Sequence, residues 1–249
     1  MRWSKSITAL ALCGAFLASD TAPALAGDIT RVNGRVIFKG KPEQFRRFVI
    51  DTSKDPACKV GAMVTGTLDV VLNTETSPTT ISHVLVSVSR KHDFGTTLFP
   101  TPQQPVTLTQ KRCQFIPHVV GVVKNQPLEL VGNGLTDFAV SFQSKVNKGQ
   151  TFKLAKGVQE TKTVKLEPEP PFEVRCELHP WMKGYIAVFD HPFFSVTGEE
   201  GEYELKGMPP GKYVIEAWHE KFGTLAKEVD VVKGETITHD FVFDLSENE

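Results

Sequence analysis

Apolar and polar residues alternate in short runs after about residue 27, and Gly, Pro, Asn and Asp separate the runs. A period of two places successive side chains on opposite faces of a strand, so the pattern predicts an all-β protein. No segment keeps a 3.6-residue period over three helical turns. The clearest predicted strands are 32–38, 84–88, 119–123, 128–131, 172–175 and 185–189, and the polar stretch 145–171 reads as a long loop with edge strands.

The last part of the chain is built of short strands and sharp turns. A Gly201…Tyr203-Glu204-Leu205 step is followed by Met208-Pro209-Pro210-Gly211-Lys212-Tyr213, in which proline presets φ and glycine permits a positive φ. This block resembles the carboxypeptidase regulatory-like domain, a small transthyretin-like β-sandwich. The resemblance implies a discontinuous sandwich of residues 27–104 and 191–249, with 105–190 inserted as a second domain. A plain tandem of two domains is the competing layout.

The middle region carries a second signature. Phe115, Pro117, Val120 and Val122 precede a turn, and Leu128, Leu130 and Asn133 follow it. This spacing resembles the first core strands of cupredoxins, with Asn125 where glycine is usual. The resemblance implies a cupredoxin-like Greek-key barrel.

One loop carries the candidate chemistry: Cys176-Glu177-Leu178-His179-Pro180-Trp181-Met182. A thiolate, an imidazole and a thioether are the ligand types of a blue-copper site, and the sulfur ligands suit Cu(I). The loop resembles the copper loop of amicyanin, a cupredoxin, and the combined features resemble exported proteins of the methylamine utilization type. Cys176, His179 and Met182 are therefore candidate ligands of one copper ion. Taken singly, each residue has a simpler interpretation: Cys176 as a buried free thiol, His179 as a hydrogen-bonded loop residue and Met182 as part of the hydrophobic core.

The cupredoxin pattern has a second histidine that this sequence lacks. Aligning Val140 and Phe142 with the second core strand puts Phe138 where that histidine belongs. His118, at the start of the first core strand, is the nearest alternative ligand. The sequence therefore predicts an exported cupredoxin-like copper-binding protein with an atypical ligand set, with electron transfer as its candidate role. The competing hypothesis is a metal-free binding or interaction module that kept the cupredoxin fold.

The N-terminal segment predicts a cellular compartment, and the cysteines predict a disulfide. Residues 1–26 read as a signal peptide with a basic start, an apolar stretch and an Ala24-Leu25-Ala26 cleavage site, which predicts a periplasmic or secreted protein. Lipidation at Cys13 is the alternative. Three cysteines then remain, and an oxidising compartment favours one pair. Because Cys176 has metal-type spacing, Cys58–Cys113 is the favoured disulfide, and the other pairings stay open.

Charge and motifs exclude some classes of function. The formal net charge is −1, so no electrostatic attraction to nucleic acid is expected. No segment after residue 26 is long and apolar enough to predict a transmembrane helix. The usual motifs of serine hydrolases, zinc proteases and phosphate-binding loops do not occur, and we expect no enzyme. Cys176 and His179 could also form a nucleophile and its base, but a shared metal is the stronger interpretation of that pair. Trp181 is expected to form an apolar lid, where a redox partner protein would dock.

Overall fold

The computed structural model describes residues 29–45, 47–51, 55–58, 66–132, 134–147 and 149–246. The predicted signal peptide, Cys13 and Asn133 lie outside the described residues. Within them the chain is all-β, as predicted, and its helical segments are two short 3-10 turns at Pro42–Phe45 and Pro56–Cys58. No helix in this described part combines the length and apolar character needed to cross a bilayer.

Nineteen strands form the architecture of the described residues. The first four are β1 (Arg31–Lys39), β2 (Leu72–Asn73), β3 (Thr80–Ile81) and β4 (Leu85–Val88). The middle nine are β5 (Val106–Lys111), β6 (Gln114–Ile116), β7 (Val119–Val123), β8 (Leu128–Gly132), β9 (Phe138–Gln143), β10 (Thr151–Leu154), β11 (Glu160–Val164), β12 (Glu169–Cys176) and β13 (Lys183–Phe189). The last six are β14 (Phe194–Val196), β15 (Glu202–Lys206), β16 (Gly211–His219), β17 (Gly223–Val231), β18 (Thr236–Thr238) and β19 (Phe241–Asp244).

Strands from both ends of the described chain form one pair of sheets. The first sheet has the order β15-β1-β3-β2, and β18 and β19 also pair with β1; the second has the order β14-β4-β16-β17. Side chains of both sheets share one buried core, in which Val36 of β1, Val86 of β4 and Ile215 of β16 are completely buried. Because the two inner faces enclose this core, the pair is a β-sandwich.

The middle strands form a second pair of sheets, ordered β10-β9-β12-β13-β7 and β11-β8-β5-β6. Both sheets are mixed, since β7 runs parallel to β13 and β5 runs parallel to β8. Their shared core includes Phe115, Val140, Val174 and Ile186, none of which is exposed. A small third cluster, with Leu85 of β4 and Phe189 of β13, packs between the two sheet pairs.

The predicted strand boundaries are partly confirmed. The stretch 145–171 contains the edge strands β10 and β11, as predicted, and also the start of β12, whose register shifts between Glu169 and Phe172. The shift accommodates Pro170 and Pro171, which have no N–H for the ladder. Strand β17 runs from Gly223 to Val231 although most of its residues are exposed, because it pairs with β16 along its whole length.

Candidate metal centre

The Cys176 loop joins β12 to β13 at one end of the middle sheets. Its turn is closed by two backbone hydrogen bonds, from Met182 N–H to the His179 carbonyl (2.8 Å) and from Cys176 N–H to the Met182 carbonyl (3.1 Å). The Glu177 N–H donates to the carbonyl of Ala139 in β9 (2.8 Å), which anchors the loop to the neighbouring strand. The tight turn thus brings the three candidate ligands to one short segment.

Cys176 and His179 are in direct contact. The Cys176 Sγ lies 3.5 Å from the His179 Nδ1, and both residues are buried. A tetrahedral metal with bonds of about 2.3 Å to sulfur and about 2.0 Å to nitrogen holds two such atoms about 3.5 Å apart. The same separation suits a hydrogen bond from the thiol to the imidazole in the absence of metal. The pair therefore fits a shared metal without rearrangement of its two donor atoms.

Asp55 fixes the orientation of the imidazole. Its Oδ2 lies 2.9 Å from His179 Nε2 and also accepts a hydrogen bond from the Thr136 hydroxyl (2.5 Å). These hydrogen bonds, from Thr136 and then from His179, lower the pKa of Asp55 below its ordinary value. An ionised carboxylate only accepts, so the Nε2 of His179 carries the proton and its Nδ1 keeps a lone pair towards Cys176. Carboxylate–histidine pairs of this kind orient the metal-binding histidines of many proteins.

Met182 and Phe138 complete the surroundings. Met182 is buried in the same core cluster as Cys176 and Phe138. The Phe138 ring lies 5.3 Å from the His179 ring, so the residue aligned with the missing histidine does stand beside the loop imidazole. A phenyl ring donates nothing to a metal. The protein ligands of the loop itself are therefore one thiolate, one imidazole and one weak thioether, a set that suits Cu(I) better than Cu(II).

The structure places His118 in a different cluster. Its Nε2 contacts the Glu220 carboxylate, which also accepts hydrogen bonds from Lys183 Nζ (2.6 Å) and the Tyr185 hydroxyl (3.1 Å). Burial favours the neutral form of Glu220, but these donors outweigh it and lower its pKa to about 2. The His118 ring also packs against His83. His118 is therefore engaged in a buried network that links the middle strands to β16 and β17.

The cysteine prediction is confirmed: Cys58 and Cys113 form a disulfide, and Cys176 is a buried free thiol. The disulfide joins the Pro56–Cys58 turn to the β5–β6 hairpin. The indole N–H of Trp181 donates to the Cys113 carbonyl (3.1 Å), so the disulfide and the candidate ligand loop are in contact. Nothing in the sequence pattern predicted this contact, nor the roles of Asp55 and Thr136.

A cleft of about 750 Å³ lies over the imidazole, and its lining includes Asp55, Thr136, His179 and Trp181. Cys176 does not line it. Trp181 is partly buried, whereas Leu178 of the same loop is 54 % exposed. The thiol is thus shielded from solvent, whereas the imidazole lines the cleft although His179 is also buried.

No family model and no curated protein sequence matches the chain. Among solved structures, it is similar to a copper-containing nitrite reductase from Thermus scotoductus (21% identity, TM-score 0.30, covering 39% of this chain and 24% of that one). It is also similar to amicyanin from Paracoccus versutus (17% identity, TM-score 0.30, 41% and 96% covered) and to a mutant amicyanin with Cu(I) (15% identity, TM-score 0.29, 33% and 80% covered). These scores are low, so the case for a metal rests on the residues of the loop.

Proposed function

We propose that this chain is an exported, cupredoxin-like copper-binding protein that holds one copper ion with Cys176, His179 and Met182. The observation that carries the proposal is the 3.5 Å approach of Cys176 Sγ to a His179 Nδ1 whose opposite nitrogen is hydrogen-bonded to Asp55. A soft anion and an oriented imidazole lone pair, both shielded from water, form a metal-binding pair. With Phe138 in place of a second imidazole, the site favours Cu(I).

Cys176, His179 and Asp55 also resemble a nucleophile, a base and an orienting acid, which would suit cysteine catalysis. Such a nucleophile must reach a substrate. Cys176 is only 2 % exposed and does not line the cleft beside His179. This burial favours a metal ligand over a nucleophile, and we propose no enzymatic activity.

The domain organisation is part of the proposal. Residues 105–190 would form the cupredoxin-like domain, inserted into a carboxypeptidase regulatory-like sandwich of residues 27–104 and 191–249. Residues 1–26 would direct the protein to the periplasm or outside the cell, as in exported proteins of the methylamine utilization type. In electron transfer, a redox partner protein would dock where Trp181 and Leu178 lie over the imidazole, because electrons cross short apolar contacts between partners.

Copper binding is tested with purified protein whose disulfide is intact, titrated with Cu(I) without oxygen against a coloured Cu(I) chelator. We expect one ion per chain, strong weakening in Cys176→Ser and moderate weakening in Met182→Leu. Met208→Leu is the matched control, because Met208 is equally buried but belongs to the sandwich core. Absence of bound copper in protein with a free Cys176 refutes the proposal and favours the metal-free interaction module. Undiminished binding by Cys176→Ser refutes the ligand assignment.

A further inference from the structure

A second set of sulfur atoms lies beside the imidazole of the candidate metal centre. The Sγ atoms of Cys58 and Cys113 and a ring nitrogen of His179 all lie within 4.8 Å of one another. All three residues are buried, with exposed fractions of 0 %, 2 % and 3 %. The Cys176 Sγ contacts the same imidazole, 3.5 Å from its Nδ1, but is not part of this group.

Hydrogen bonds hold these groups in one unit. The Cys58 N–H donates to the Asp55 carbonyl (3.0 Å), and the Asp55 side chain orients His179. On the other half of the disulfide, the Cys113 carbonyl accepts the indole N–H of Trp181, which belongs to the ligand loop. Each half-cystine is thus tied to the loop that carries Cys176. Opening the S–S bond need not separate the sulfur atoms from the imidazole.

The oxidation state of this pair decides how many donors surround the imidazole. A disulfide sulfur carries no negative charge and is a poor metal ligand, whereas a thiolate is a strong ligand for Cu(I) and Zn²⁺. With the disulfide reduced, Cys58 and Cys113 would offer two thiolates beside His179. Two thiolates and one imidazole make a three-coordinate set that suits Cu(I). The Cα atoms of the pair are 5.3 Å apart, so both side chains start from neighbouring positions.

We propose that the Cys58–Cys113 disulfide is a redox gate on metal binding, and that its reduction creates a Cys58, Cys113 and His179 site of higher Cu(I) affinity next to Cys176. A dithiol reductant supplies two electrons and two protons to the S–S bond, giving two cysteine thiols and the oxidised, disulfide form of the reductant. The thiols that bind the metal release their protons to solvent. The inference extends the proposed copper function, since it adds ligands to the same centre.

The gate is tested on the wild-type chain in its two redox states. One sample keeps its disulfide; the other is reduced with dithiothreitol and freed of it without oxygen, with thiols counted and circular dichroism recorded. Competition against the Cu(I) chelator is expected to show at least about tenfold tighter binding after reduction. X-ray absorption should count two short copper–sulfur bonds in the reduced form, against one in the oxidised form. Equal affinities and equal sulfur counts in two folded samples overturn the proposal.

Two variants separate this proposal from the copper function itself. Cys58→Ala/Cys113→Ala should bind Cu(I) like the oxidised wild type and should not respond to dithiothreitol. Cys176→Ser should bind weakly when oxidised yet still gain affinity on reduction, through Cys58, Cys113 and His179. If oxidised wild type binds copper and reduction adds nothing, the gate fails while the proposed function stands. If oxidised wild type binds none and reduction creates binding, the proposed function fails and the dithiol site stands.

Discussion

The hydrogen bond between Asp55 and His179 gives the most direct test of how the centre is built. Asp55 accepts from His179 Nε2 (2.9 Å), from the Thr136 hydroxyl (2.5 Å) and, through Oδ1, from the Ala57 N–H (2.9 Å). Asp55→Ala removes all three acceptor contacts and leaves the Nε2–H of a buried imidazole without a partner. We therefore expect the ring to turn or to lose its preferred tautomer.

The expected magnitude follows from these contacts. Loss of the residue that orients a metal-binding histidine typically weakens metal binding 10- to 100-fold, which corresponds to about 1.4–2.7 kcal/mol. Asp55→Asn should cost less, because its amide oxygen can still accept from His179 and Thr136. Its NH₂ group would then face the Ala57 N–H, so one hydrogen bond and the negative charge are lost.

The assay is Cu(I) competition with the disulfide intact, with unfolding by urea measured in parallel. Asp137→Ala is the matched control: Asp137 lines the same cleft and carries the same charge, but its carboxylate accepts from the Lys156 N–H instead of from His179. Wild-type affinity in a folded Asp55→Ala variant would show that the imidazole is not oriented by Asp55. Equal weakening by Asp137→Ala would show that only the charge of the cleft matters.

Three further substitutions test other parts of the description. Phe138→His should supply the second imidazole, so adding Cu(II) should produce an intense visible thiolate-to-copper band that the wild type lacks; no gain in the band contradicts the alignment. Burial lowers the pKa of His191 to about 4 from an ordinary 6.5. As the pH drops below about 6.5, this histidine is protonated in the unfolded chain but stays neutral in the folded protein, so the folded protein becomes less stable. The free energy of unfolding in urea should fall between pH 7.5 and pH 5 by about 2 kcal/mol less in His191→Asn than in the wild type. In His239→Asn, a control at a more exposed histidine, this difference from the wild type should be smaller, and equal differences in the two variants contradict the reasoning. Gly121→Ala would bring a Cβ to 2.5 Å from the Phe194 ring, and urea unfolding should show a loss of about 1–3 kcal/mol, whereas wild-type stability would mean that the ring moves away freely.

Local pattern was sufficient for much of the fold. Residues 119–123 and 185–189 are short, almost wholly apolar runs, and the structure has β7 and β13 there, with β13 beginning two residues earlier. The pattern failed where pairing overrides it: β17 is mostly polar and exposed, yet its hydrogen bonds to β16 make it a strand. Pairing partners from elsewhere in the chain are not visible in a local window.

The candidate site also combines residues that the local sequence reveals with residues that meet only in the folded protein. Cys176, His179 and Met182 are linked by spacing along one loop, which a sequence shows directly. Asp55 precedes the loop by more than a hundred residues, and an aspartate before a proline carries no signal that it will meet an imidazole. For His118, strand position alone suggested a ligand, but its partner Glu220 comes from the turn between β16 and β17. Long-range electrostatic pairing of this kind needs the three-dimensional structure.

The pairing of β1 has a consequence for the order in which the protein is assembled during synthesis. Arg31 of β1 pairs with Lys206 of β15 and Thr236 of β18, so its neighbours are translated about 175 or more positions later. At common rates of synthesis, that delay is roughly 9–35 s or longer. The middle strands, β5 to β13, acquire their partners well before then. Among the β1 partners in the described residues, the short strand β3 precedes the middle strands, so most of the β1 ladder forms after the Cys176 loop is complete.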